Sequence, residues 1–121
     1  MEATLGREFA RALGAKDAGR LRELVHPDID FCGLTPSRAW EASDPDALMS
    51  LLFDEWFPDK DEILGVESVE SDAFADRERV GYRFSVENPD GQFVVEQQAY
   101  VGERDGRICW MRVVCSGFRP S

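Results

Sequence analysis

An α+β fold is predicted for this 121-residue chain by three features of its sequence. Helical apolar spacing is confined to the first 57 residues. From residue 61 onward, β-rich runs alternate with short turn-forming segments. The length suits one hydrophobic core, so residues 1–121 are expected to form a single domain. Three helices should therefore precede a meander of about four long strands, with one short strand added at an edge.

Each element has its own signal. Leu5, Phe9, Ala12 and Leu13 recur at helical spacing within residues 2–15, and Gly14 ends that helix. Asp17 is placed to cap a second helix carrying Leu21, Leu24 and Val25. Pro27 cannot continue it, so "DIDFCGL" leaves as a short strand. In "SDPDALMSLLFDEWF", Ser43 and Asp46 resemble a capping box, with Pro45 in the first turn. Leu48, Leu51, Leu52 and Trp56 keep the helical period, and Met49, Phe53 and Phe57 widen the apolar surface, so this third helix should be well buried. The runs "EILGVESVE", "RVGYRFSVE", "QFVVEQQAYVG" and "RICWMRVVCSG" are then separated by "SDAFAD", "NPDG" and "ERDG". Such turn chemistry joins antiparallel neighbours.

Composition excludes several classes of function. Apolar residues make up 43% of the chain and charged residues 31%, as in a folded globular domain and not a disordered one. The net charge of −10 repels phosphate backbones and anionic bilayers, so neither nucleic acid nor membrane is an expected partner. Cys32, Cys109 and Cys115 have no metal-ligand spacing, and with one histidine no metal site or cofactor is expected. Cys109 and Cys115 would lie about 20 Å apart on one strand, too far to bridge, which leaves only Cys32 open to a disulfide. No secretory segment or apolar run near 18 residues is present, and free thiols suit a reducing, cytoplasmic compartment.

Charge placement separates the two faces of each strand. Cys109, Met111, Val113 and Cys115 form the uncharged face of the last strand and should point inward, as should Val80, Tyr82, Phe84 and Val86. The run 93–101 is ambiguous. By alternation alone, Phe93, Val95, Gln97, Ala99 and Val101 are the more apolar set. Turn arithmetic favours the other. If Asp105-Gly106 is a two-residue loop, Arg104 pairs with Arg107, and Tyr100, Gln98 and Glu96 oppose Met111, Val113 and Cys115. The "NPDG" turn disagrees, since it pairs Tyr82 with Gln97; a bulge or a three-residue loop there would restore the Tyr82–Gln98 pairing. The Asp-Gly arithmetic is adopted. Ile108, Trp110 and Val114, flanked by Val101 and Val95, would then form an outward apolar patch, and patches of that kind mark interfaces.

The segments "FARALGAKD" and "LRELVHPDIDF", followed by a buried helix and a four-strand meander, resemble the nuclear transport factor 2-like superfamily. The SnoaL-like and ketosteroid-isomerase-like branches are the nearest, and the closing "CSGFRP" resembles the end of members to which it lends no activity. The resemblance implies helices packed in the concave face of a curved antiparallel sheet, a cone-like α+β barrel with an apolar cavity. It also implies a homodimer through the outer sheet face, here around Trp110, Arg112 and Val114. Isomerases, cyclases, hydratases and non-catalytic binders share this fold, which does not decide between them. The steroid-isomerase site needs an aspartate base, a tyrosine and a protonated aspartate. Aligned on the quoted segments, those positions hold Gly33, Phe9 and Gln98, so that mechanism is excluded.

Two readings follow. In the first, the chain acts on a small, largely apolar molecule, with Glu96 as a desolvated acid/base. Gln98, Tyr100 and Tyr82 would orient the substrate, Phe84, Phe9, Met111, Val113 and Cys115 would line the pocket, and Trp40 would form its rim. The alternative is a non-catalytic binding or dimerisation module, with Glu96 wet at the mouth and the cysteines serving as small core residues. His26, before Pro27, reads as a helix cap.

Overall fold

A computed structural model describes residues 4–121 of the chain; the first residues of the segment expected to be helical lie outside that range. Helix α1 (Leu5–Gly14) starts at Thr4, whose hydroxyl accepts from the Arg7 N–H, and buries Phe9, Ala12 and Leu13. Helix α2 (Ala18–Leu24) is capped by Asp17, as its position predicts. Helix α3 (Pro45–Ser50) has Pro45 in its first turn, but its cap is Asp44, which accepts the Ala47 N–H at 2.7 Å. Ser43 is therefore not the capping residue. The helix then widens into a π-helical turn over Leu51–Trp56, closed by an i→i−5 bond from the Phe57 N–H to the Leu52 carbonyl at 2.8 Å. π-turns are rare and concentrate at functional sites. Here the turn delivers Trp56 to the interior.

The strands are β1 (Val25–Thr35), β2 (Arg38–Ala42), β3 (Glu62–Phe74), β4 (Arg77–Asn88), β5 (Gly91–Arg104), β6 (Arg107–Cys115) and β7 (Arg119–Pro120). They form one curved, unclosed sheet in the order β2-β1-β6-β5-β4-β3, with β7 pairing β5 beyond the end of β6. The three helices pack against its concave face, the expected α+β cone. The meander β3-β4-β5-β6 is antiparallel throughout. Two features differ from expectation. The first strand runs 11 residues and sits inside the sheet, parallel to β6, and the unforeseen β2 forms the edge instead. Parallel neighbours need a long crossover, and here almost the whole chain between β1 and β6 supplies it. No helix among the described residues is long and apolar enough to cross a membrane.

The register of β5 against β6 fixes what looks inward. Asp105 and Gly106 both adopt positive φ, 56° and 77°, in a two-residue turn that pairs Arg104 with Arg107 as predicted. The ladder then slips by one residue: Glu103 faces Ile108, but Gly102 faces Trp110. Cys109 is the extra residue of a β-bulge, its thiol directed at the Gly102 carbonyl at 3.6 Å. Beyond the bulge, Val101 pairs with Met111, Ala99 with Val113 and Gln97 with Cys115. The hairpin of β4 and β5 agrees, since Asn88 faces Gly91 and Tyr82 faces Gln97. The irregularity expected near "NPDG" therefore lies in the other hairpin, and every β5 side chain from Glu96 to Tyr100 takes the face opposite to the one predicted.

Candidate functional site

The concave face of the sheet brings together most of the expected lining. Phe9, Tyr82, Phe84, Met111 and Val113 are each at most 3% exposed, and half-buried Cys115 and Trp40 pack against them. Glu96, Gln98 and Tyr100 are not part of this group. The Glu96 carboxylate lies on the convex face, 57% exposed and 3.6 Å from the Arg83 guanidinium. Gln98 is exposed and accepts from Arg79 at 3.1 Å. Tyr100 faces Arg112 across the strands and stacks at a tilt on Phe74, with ring centroids 5.1 Å apart. The bulge at Cys109 is the physical reason for all three corrections. A carboxylate in water beside an arginine also lacks the desolvation that suits a buried general acid.

In their place the structure puts Gln97, which is only 3% exposed. Its Oε1 accepts from the Tyr82 hydroxyl at 2.6 Å, which orients the amide. The Nε2 group has no hydrogen-bond partner, although it is fully buried. Burial pushes the Tyr82 phenol well above its usual range, with nearby Cys115 adding to the effect. Tyr82 therefore stays neutral and serves as a donor, not as a base.

A second buried donor is also without a partner. Trp56 is 7% exposed, and its indole Nε1 has no partner either. The indole lies over Gly33 on β1, where an added Cβ would stand 2.6 Å from Cη2 and 2.7 Å from Cζ2. Gly33 faces Val113, which in turn faces Ala99, so Trp56 and Gln97 approach the same end of the concave face from either side of β6. Phe31 and Trp40 complete the aromatic shell around Trp56, with centroids at 5.8 Å and 6.5 Å. Buried donors are almost always satisfied in folded proteins, and these two are exceptions.

The sequence signals for Gln97 were the alternation of β5 and the "NPDG" register. For Trp56 and Gly33 there was no separate signal, because their contact depends on the π-turn. Among the described residues, no group of three or more histidine, cysteine, aspartate and glutamate side chains is placed to hold a metal. All three cysteines are free. His26 belongs to β1 and does not cap a helix; its Nδ1 accepts the Asp28 N–H at 3.0 Å, beside Arg104.

The outer face also differs from expectation. Ile108, Val101 and Val95 are buried on the concave side, so they do not contribute to an exposed patch. Trp110 is half-buried between the guanidinium groups of Arg77 and Arg112, at 4.2 Å and 4.6 Å from its ring centroid. Of the predicted apolar patch, Val114 remains, 55% exposed and paired with Leu34 on β1, itself 54% exposed.

No protein-family model matches the chain, and no curated protein matches its sequence. Solved structures do. A protein from Rhodopseudomonas palustris named as a candidate isomerase superposes with a TM-score of 0.76 at 16% identity, covering 97% of this chain and 93% of that one. A Catenulispora acidiphila protein with a ketosteroid isomerase-like fold, solved with trimethylamine, gives 0.73 at 12% identity over 94% and 88%. A nuclear transport factor 2-like protein from Burkholderia xenovorans gives 0.68 at 19% identity over 93% and 86%. At these identities the likeness speaks for the fold.

Proposed function

The chain has the nuclear transport factor 2-like fold, and from that premise we propose that it binds a small, largely apolar molecule on the concave face around Tyr82, Gln97 and Trp56. The observation that carries this reading is the fully buried Gln97 Nε2, a donor without a partner beside the Tyr82 ring. Its preferred ligand carries an uncharged hydrogen-bond acceptor. Gln97 and Trp56 are neutral donors, the Tyr82 hydroxyl being spent on Gln97, and among the described residues none of the buried polar side chains is a cation that would offset the desolvation of an anion.

Catalysis by proton transfer receives less support. Isomerisation and hydration each need a group that moves a proton, and among the described residues the buried polar side chains besides neutral Tyr82 are Gln97 and Asp61. Asp61 is committed to a bond from the Asn88 amide at 2.9 Å, and Asn88 lies six residues along β4 from the Tyr82–Gln97 pair. Non-catalytic binding is therefore the reading adopted. Three free cysteines support a reducing, cytoplasmic compartment. A homodimer through the outer sheet face is proposed on the paired exposure of Leu34 and Val114.

The test uses three probes of one shape: acetophenone, ethylbenzene and benzoate. Nitrogen-15 correlation spectra of the full chain should show acetophenone moving the Trp56 indole and Gln97 side-chain resonances, assigned through Trp56→Phe and Gln97→Leu. Ethylbenzene should bind more weakly, and benzoate more weakly still. The Glu96→Gln variant should bind acetophenone like the parent. Failure of all three probes to move either resonance would end the binding reading. A preference for benzoate would end the claim that the acceptor is uncharged.

A further inference from the structure

The last residues of the chain lie over one end of the concave face, against Phe57 and Phe93. Their root is firm: the Ser116 N–H donates to the Glu96 carbonyl at 2.8 Å, and the Glu96 N–H donates to the Ser116 hydroxyl at 2.9 Å. Gly117 follows with φ +73°, and a Cβ at that position would stand 2.9 Å from Pro36 in the turn between β1 and β2. Only glycine turns the chain there without strain or collision.

Phe118 is then set down on Phe57 and Phe93, at centroid distances of 6.1 Å and 5.8 Å, and remains 37% exposed. Phe57 meets Phe84 at 6.0 Å, and Phe84 meets Tyr82 at 5.3 Å. An unbroken aromatic path thus leads from the surface at Phe118 to the Tyr82–Gln97 pair. What holds Phe118 down is slight. Strand β7 pairs two residues with β5, Pro120 has no N–H to give, and the Ser121 N–H reaches the Gln92 carbonyl at 3.3 Å. Segments with so few backbone bonds open at low free-energy cost compared with the sheet they lie on.

We propose that Gly117–Ser121 is a strap that opens to admit ligand to the concave face, with Gly117 as hinge, Phe118 as plug and β7 as a weak latch. As an account of access, the proposal rests on the binding reading above. As an account of motion, it does not. A plug governs how fast molecules enter and leave, whereas a wall of the site governs how tightly they are held.

Two variants test it, Phe118→Ala and a chain ending at Phe118. Hydrogen exchange of the Trp56 indole N–H reports access without any ligand, because that group has no hydrogen-bond partner to break. Exchange should rise about tenfold in both variants while the amides of Ala99 and Val113 in the sheet keep their parental rates. Acetophenone association and dissociation should accelerate together, leaving Kd within about threefold of the parent. Unchanged indole exchange in both variants would overturn the strap, as would a rise matched by the sheet amides. Faster dissociation alone would make Phe118 a wall of the site and likewise overturn it. Faster indole exchange in a protein that binds none of the probes would keep the strap and remove the binding reading.

Discussion

Gln97 and Tyr82 share one buried hydrogen bond, and their energetics follow from what each leaves behind when removed. Tyr82→Phe deprives Gln97 Oε1 of its partner, and Gln97→Leu deprives the Tyr82 hydroxyl of its own. Each single change should cost about 1–3 kcal/mol, the penalty for an unsatisfied buried group. The double variant orphans neither and also removes the unpartnered Nε2, so it should recover most of that loss in urea unfolding. A strictly additive double variant would show that the pair is not coupled. The phenol also sets a pH dependence. Its folded pKa is raised, so the protonated form is favoured in the native state, and this stability is fully present below the unfolded tyrosine value near pH 10. Above about pH 10 the unfolded state releases a proton that the folded state keeps. Stability should then fall by about 1.4 kcal/mol per pH unit, and Tyr82→Phe should remove that part of the slope. Gln97 itself was legible twice, in the alternation of β5 and in the "NPDG" register. It was passed over because the Asp-Gly arithmetic, made without the bulge at Cys109, outweighed both signals, and a bulge leaves no mark in residue type when the extra residue is a cysteine as apolar as its neighbours.

The β5–β6 hairpin and the π-turn show how local geometry selects the site. Cys109 occupies the position where two residues oppose one, so its removal should leave Ile108 and Met111 both inward, as they already are. Deleting Cys109 should therefore give a folded chain with a loss of about 1–2 kcal/mol. Deleting Val113 from regular ladder should turn the rest of β6 over and abolish cooperative melting. Circular dichroism melts of the two deletions separate these outcomes; equal melting would mean that the bulge lies elsewhere. The turn at Leu51–Trp56 makes a parallel demand on β1. Gly33→Ala drives a methyl group into the Trp56 indole and should cost about 1–3 kcal/mol, and Trp56→Leu in the same chain should relieve it. Helices α1 and α2 were legible because caps and apolar period agree at Asp17, Phe9 and Leu13. The π-turn was not, because its apolar residues fit an α-helical period equally well.

At the scale of the whole molecule, the order of helices and strands was legible because it is a matter of periodicity and turn chemistry along the chain. The placement of β1 beside β6 was not, since the two are brought together from opposite ends of the sequence and no turn joins them. That placement is what sets Leu34 next to Val114 on the outer face, about 5 Å apart across the strands. The surrounding surface is polar but internally matched: Arg83 lies between Glu67 and Glu96, Arg79 reaches Asp72, and Arg112 reaches Asp30. Apposing two copies of such a face would bury apolar groups at the centre and leave charges of both signs at the rim. Against this stands a net charge of −10 on each chain, a repulsion that salt screens. Two opposed effects of salt then separate the sources of affinity. If rim ion pairs held the copies together, raising salt from 20 mM to 500 mM would dissociate them; if the apolar centre does so against net repulsion, the same change strengthens association. The latter is expected, with about a tenfold tighter dimer in sedimentation at high salt, and Val114→Glu should give monomers at both. A Val114→Glu chain that sediments as the parent does would place any self-association on another surface.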